Sequence, residues 1–180
     1  MSGIAVEGDD QRRELLELYD SALPEVYGYL ASRCSSASVA EDLTSETFLA
    51  AVAAVTDNKV AELTVAWLIG VARHKLVDHW RRREREERAL IAVESEPVPQ
   101  DDPWDLRLDL MMAHRVLERL GAHHRSALTL RYLDGLPVRQ VAEVLGRTAG
   151  ATEVLLVRAR AAFRAGYDEV SPQQEGGDGR

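Results

Sequence analysis

From Val65 to Trp80 the apolar residues Val65, Leu68, Ile69, Ala72, Leu76 and Trp80 recur at spacings of three and four, the period of one buried helical face. The same spacing runs through most of the chain, and no alternation of apolar and polar residues is sustained long enough to define a strand. The pattern predicts an all-α protein. It lapses once, in AVESEPVPQDDPW between Ala92 and Trp104, a stretch rich in proline and acid and poor in large aliphatics. Such a stretch reads as a flexible acidic linker, so the 180 residues divide into two small helical domains. Their expected bounds are 11–90 and 105–167, with a linker over 91–104 and an acidic tail over 168–180.

Proline, serine and glycine set the expected helix ends. A first helix starts near Gln11, and Pro24 opens a second, with Tyr19, Val26, Tyr27 and Leu30 facing inward. Ser38 and Glu41 have the spacing of a capping box and start a helix running to about Val55. Residues 56–59 form a loop, and a long helix runs from about Thr64 into the arginine run. The second half reads as a helix from Asp105 to Leu120, another from His123 to Leu133, and a turn at Asp134-Gly135. A helix-turn-helix follows. Pro137 sets the first turn of a short helix with Val138, Val141, Ala142 and Leu145 on one face, and Gly146 ends it in the left-handed conformation. A second helix starts at Thr148 or Gly150 and packs through Thr152, Leu156, Ala159 and Phe163.

The formal net charge of −8 conceals a division by segment. Residues 1–63, 91–120 and 168–180 carry net charges of −8, −4 and −3, whereas 64–90 and 121–167 carry +3 and +4. Positive charge is confined to the long helix and the helix-turn-helix, the footprint expected where phosphate is met. The single cysteine, Cys34, permits no internal disulfide, and the N-terminus shows no leader or membrane-spanning pattern, so a cytoplasmic protein is expected. The five histidines and Cys34 lack the spacing of a metal site, and no phosphate loop, dinucleotide fingerprint or nucleophile elbow occurs. No catalytic activity, metal or cofactor is expected.

Three stretches carry a family resemblance. LRYLDGLPVRQVAEVLG resembles region 4, the second DNA-binding domain of bacterial sigma factors of the extracytoplasmic-function type. AEDLTSETFL resembles their region 2.2, and AWLIGVARHKLVDHWRRR resembles regions 2.3 and 2.4. The resemblance implies a subunit that binds core RNA polymerase and directs promoter-specific initiation. It implies contact with the clamp of the polymerase's largest subunit through Asp42, Leu43, Glu46, Thr47 and Phe48, and with the flap of the second largest subunit. It implies a −10 surface comprising Asn58, Lys59, Arg73, His74, Lys75, His79, Arg81, Arg82 and Arg83, which also helps to separate the strands. It implies a −35 surface comprising Arg147, Thr148, Thr152, Glu153, Val154, Val157, Arg158 and Arg160, and an anti-sigma factor as a further partner.

The reading helix departs from the family pattern at Glu153, Val154 and Leu155, where basic or small polar residues are usual. Glu153 can accept from a cytosine amino group, and Val154 or Val157 can touch a thymine methyl, while the arginines meet phosphate. Trp67 and Trp80 read as core residues, and residues 84–88 as an exposed helix laced by ion pairs. Two other readings stay open: a helix-turn-helix regulator that works without polymerase, and a sigma-like protein-interaction module.

Overall fold

The computed structural model describes residues 3–57, 59–90 and 110–170, with side chains from Gln11 to Ala89, Asn58 excepted, and from Met111 to Val170. Seven α-helices and one π-helical turn occur among them, and no strand. The helices are α1 (Gly3–Ala31), α2 (Ala37–Thr56), α3 (Val65–Leu90), α4 (Leu110–Arg119), α5 (Ala122–Leu128), α6 (Val138–Leu145) and α7 (Ala149–Val170), with the π-helical turn over Thr129–Leu133. The chain divides into two compact units, Met1–His79 and Trp80–Arg180. The expected linker and residues 105–109 lie outside the described residues. No described helix is long and apolar enough to cross a membrane.

In the first unit α1 and α2 form an antiparallel hairpin. Gln11 Nε2 donates to the Val60 carbonyl at 3.0 Å, Arg12 Nη2 to Thr56 Oγ1 at 3.3 Å, and the rings of Tyr19 and Phe48 meet edge-on at 4.8 Å. Rising positions in α1 thus pair with falling positions beyond and along α2. Ala22, Val26 and Leu30 from α1, Ala40, Leu43 and Ala51 from α2, and Leu68, Ala72 and Leu76 from α3 are buried. The α3 stripe is therefore the core face expected of it, although Val65 and Ile69 are only half-buried. Thr64 starts α3, its Oγ1 accepting from the Trp67 N–H at 3.1 Å.

Pro24 does not open a helix; it lies inside α1. The ring removes the bond that Asp20's carbonyl would accept, but both residues are exposed, where water serves that carbonyl. Burial of Ala22 and Val26 on either side holds the helix together across the gap. Of the four residues expected to face inward, Val26 and Leu30 are buried, Tyr27 is half-buried and Tyr19 is 40% exposed. The cap of α2 is Ser36, not Ser38: Ser36 is extended and its Oγ accepts from the Val39 N–H at 3.3 Å. Val39 occupies the position where a glutamate would reach back, so the box is half-formed.

The second unit is built on α7. Phe163, Ala159 and Tyr167 pack against Val116 and Leu117 of α4 and Leu128 of α5. Beyond Leu128 the expected α-helix widens. The Asp134 N–H bonds to the Thr129 carbonyl at 3.0 Å, five residues back, and Leu136 N–H to the Leu130 carbonyl at 3.0 Å. Thr129 and Leu130 stay buried while Gly135, at φ +68°, makes the turn. The Arg131 guanidinium donates to the Leu136 carbonyl at 2.9 Å and closes the loop.

Gly146 is left-handed at φ +63°. The Arg147 N–H bonds to the Ala142 carbonyl at 2.9 Å and the Gly146 N–H to that of Glu143 at 3.1 Å, which satisfies two terminal carbonyls of α6. Thr148 then caps α7, its Oγ1 accepting from the Ala151 N–H at 3.2 Å. A side chain at position 146 meets open space, so Gly146→Ala carries only the strain of the left-handed backbone. It is expected to lower stability by about 1–2 kcal/mol, measured by urea denaturation, with little change in helix content.

Candidate nucleic-acid interface

The α6–α7 pair presents a reading helix with one buried and one open side. Leu155, Leu156, Ala159 and Phe163 are buried, which fixes the roll of α7. Glu153 and Arg158 are exposed, Val154 is 53% exposed, and Val157 and Arg160 are half-buried. Arg147 and Thr148 are exposed at the turn. Thr152 is a correction: it is fully buried and its Oγ1 donates to the Thr148 carbonyl at 2.9 Å. It holds the first turn of α7 and cannot reach a base. Leu155, suspect as an odd reading residue, is core.

Positions on α3 turn about 100° per residue, so the seven candidates for the −10 surface that lie on it do not share one face. His74 and Arg82 are exposed, whereas Arg73, Lys75, His79 and Arg81 are half-buried. Lys75 Nζ lies 3.7 Å from Glu46 Oε2 of α2, linking a candidate DNA residue to a candidate polymerase residue. Lys59 pairs with Asp57 at 2.7 Å, and Asn58 lies outside the described residues. Arg83 pairs with Glu87 and Arg88 with Glu84 along the exposed end of α3.

Arg81 is engaged inside the second unit, its Nη2 donating to the Leu145 carbonyl at 2.8 Å. Beside it Trp80 is 5% exposed, with the Arg125 guanidinium 4.5 Å from its ring centroid. Trp80 is thus core, as expected, and Arg81 braces the end of α6 in this structure rather than standing open to a phosphate.

His123, half-buried on α5, has its imidazole pKa held below the ordinary 6.5 by burial and then by Arg147, with Glu84 opposing and Arg81 and Arg88 adding smaller repulsions. Folding therefore favours the neutral ring. As pH falls below about 6.5 the unfolded chain takes up this proton first, so stability declines until the folded ring also protonates. His123→Gln is expected to flatten that decline, measured as the difference in unfolding free energy between pH 7.5 and 5.5.

On α2 the carboxylates Asp42 and Glu46 reach solvent, but Leu43, Thr47 and Phe48 do not. Thr47 is fully buried with its Oγ1 donating to the Leu43 carbonyl at 2.7 Å, Leu43 is 1% exposed and Phe48 8%. These three are corrected from docking residues to core. Sequence reasoning passed over three exposed apolar residues, Leu49 at 70% and Val52 at 48% on α2 and Leu16 at 73% on α1, and expected Tyr19, 40% exposed, to face inward. Asp42, Glu46, Leu49 and Val52 share one arc of α2 by helical geometry. An interrupted three- and four-residue spacing after Phe48 was the available signal.

Among the described residues no group of three or more His, Cys, Asp or Glu could hold a metal ion. The arrangement is that of a two-part helical DNA-binding protein, with a helix-turn-helix on one unit and an acidic helical hairpin with the first half of α3 on the other. Comparison with known proteins gives the same order: Sigma-70 region 2 matches residues 18–86 and Sigma-70, region 4 matches residues 110–163. The ECF RNA polymerase sigma factor BldN of Streptomyces coelicolor is 36% identical over 148 residues, covering 79% of this chain and 56% of the relative. The ECF RNA polymerase sigma factor SigC of Mycobacterium tuberculosis is 29% identical over 151 residues, covering 83% of this chain and 82% of the relative. Among solved structures, the sigma factor RpoE of Bartonella quintana, in complex with the anti-sigma factor NepR, is similar at a TM-score of 0.54 with 26% identity, covering 91% of this chain and 99% of that one. This chain belongs to the sigma-70 family, as a member of its extracytoplasmic-function type.

Proposed function

We propose that this protein binds core RNA polymerase and directs it to promoters, reading a −35 element with the helix-turn-helix and a −10 element with the first domain, whose basic helix promotes strand opening. The observation that carries this reading is the presence of both sigma regions in family order, each with its own net positive stretch in an otherwise acidic chain. The domains are 11–90 for polymerase and −10 binding and 105–167 for −35 binding, with 91–104 as linker and 168–180 as tail.

Asp42 and Glu46, flanked by Leu49 and Val52, offer carboxylates and apolar surface on one arc of α2, which suits a basic helical partner such as the polymerase clamp. Tyr132 and Leu133, each 46% exposed on the π-helical turn, offer a second apolar surface for the flap. The −35 surface is Arg147, Thr148, Glu153, Val154, Val157, Arg158 and Arg160; the −10 surface is Lys59, Arg73, His74, Lys75, His79, Arg82 and Arg83, together with Asn58. An anti-sigma factor is a partner by analogy with the complex formed by the Bartonella relative. The protein acts in the cytoplasm and has no catalytic activity of its own. A regulator working without polymerase would have no use for the region 2 half.

Run-off transcription with core polymerase on a pool of promoter fragments tests the reading. Transcripts that depend on this protein and share spaced −35 and −10 elements are expected. Failure to bind core would overturn it, and binding to core without transcripts would leave only an interaction module.

A further inference from the structure

The basic end of α3 belongs to the unit that carries the helix-turn-helix. The boundary between the two compact units falls between His79 and Trp80, so Arg81, Arg82 and Arg83 lie in the second. Three side chains hold this half of α3 there. Trp80 is buried, with the Arg125 guanidinium of α5 4.5 Å from its ring centroid. Arg81 Nη2 donates at 2.8 Å to the carbonyl of Leu145, the last residue of α6. Glu84, its side chain 16% exposed, sets Oε1 against Gly121, the N-cap of α5, where an added Cβ would lie 2.9 Å from it. A cation thus meets the C-terminal end of α6 and a carboxylate the N-terminal end of α5, the signs that those helix ends favour. These contacts conflict with the reading of two promoter elements at once. The −35 and −10 elements, named for positions roughly 25 base pairs apart, are separated by roughly 80 Å at about 3.4 Å per base pair. Arg81, by contrast, is hydrogen-bonded to α6, the helix that directly precedes the reading helix α7. Arg82 and Arg83 cannot stand at the −10 element while α7 stands at the −35 element and the Arg81 bond persists.

We propose that Trp80, Arg81 and Glu84 form a clasp that holds the second half of α3 on the helix-turn-helix unit, and that the clasp must release before the chain engages both promoter elements; the proposal rests on the two-element promoter reading above. On release the Arg81 guanidinium exchanges a carbonyl for a phosphate, a charged acceptor that binds it more strongly. The clasp therefore competes with promoter DNA for the same side chain. Binding must supply the free energy of release: a clasp closed about nine-tenths of the time lowers apparent promoter affinity about tenfold. A −35 element alone makes no such demand, because Arg147, Thr148, Glu153 and Arg158 are exposed with the clasp in place. The clasp thus penalises engagement of both elements and spares engagement of one.

The test is run-off transcription by the full chain with core polymerase on a promoter carrying both elements. Gly121→Asp supplies α5 with a favourable N-cap and sets a second carboxylate against that of Glu84. It adds no positive charge, so tighter promoter binding cannot come from phosphate attraction. The chain concentration giving half-maximal run-off is expected to fall about tenfold, with affinity for a −35 duplex unchanged. In a Glu84→Gln chain, Gly121→Asp should have a smaller effect, since the carboxylate that it repels is absent. The converse variant carries Glu84→Cys and Gly121→Cys in a Cys34→Ser background, joined by a bifunctional thiol reagent that reduction cleaves. Joined, it should bind the −35 duplex but support no run-off; cleaved, it should regain the activity of its unjoined form. Run-off by the joined chain at the unjoined level, while the parent is active, overturns the clasp and leaves the promoter function standing. So does a half-maximal concentration unchanged by Gly121→Asp, or a gain that persists undiminished in the Glu84→Gln chain, which would mark better capping of α5. If Gly121→Asp fails to fold, the joined chain decides alone. A parent that supports no run-off overturns both readings.

Discussion

Replacing Phe163 with alanine is expected to destabilise the C-terminal unit by about 3–5 kcal/mol, the range for deleting a buried aromatic ring. Phe163 is 3% exposed, packs among Val116, Leu117, Leu128, Ala159 and Tyr167, and stacks on Tyr167 with ring centroids 6.0 Å apart. It is one of three α7 residues in the cluster shared with α4 and α5, so the cavity left by its removal is bounded by three helices that cannot all close on it. Alanine is the better helix former, but that gain is only about 0.5 kcal/mol and does not decide the sign. Small domains have about 5–15 kcal/mol in total, so much of the unit's stability is at stake. Urea denaturation followed by helical circular dichroism measures it. Val154→Ala, on the open side of the same helix, is the contrast, with a change within about 0.5 kcal/mol. An equal effect of the two substitutions would mean that α7 is not rolled as described.

What could be read from the sequence was what local physics determines. The Leu68, Ala72, Leu76 and Trp80 stripe needs only helical periodicity, and Gly146 needs only a left-handed residue between two short amphipathic runs. What could not be read depended on tertiary context. Pro24 sits mid-helix because Ala22 and Val26 are buried on both sides and Asp20 faces solvent, a balance that no local rule weighs. Ser36 and Ser38 are equivalent as letters, and the roll of α2 on α1 decides which one caps. Thr47 and Thr152 carry polar side chains that suggest contact with a partner. Each instead returns its hydroxyl to a carbonyl four residues back, which makes a threonine compatible with full burial. A motif match names positions without separating those that touch a partner from those that hold the helix which does. Arg81 and His123 show the same limit, since their surroundings come from segments far apart in the chain.

The second large effect is expected at the arc of α2 that we propose meets polymerase. Leu49→Asp combined with Val52→Asp should weaken binding to core polymerase about 100-fold, equivalent to about 2.7 kcal/mol and typical of losing an interface hot spot. Leu49 is 70% exposed and Val52 48%, so the isolated protein loses little; aspartate's poorer helix propensity lowers its stability by about 0.5 kcal/mol. The sign of the charge makes the result interpretable. Asp42 and Glu46 already give this arc a negative potential suited to a basic partner, so two more carboxylates add long-range attraction while removing the apolar surface. If binding falls nonetheless, desolvation of Leu49 and Val52 carries the affinity and the carboxylates chiefly steer the encounter. Leu49→Lys supplies the opposite case, losing apolar area and adding repulsion, and should be weaker than Leu49→Asp, with the gap between them closing as salt is raised. Competition binding to core polymerase measures all of these, and full affinity in the double aspartate variant would remove the apolar arc from the docking surface.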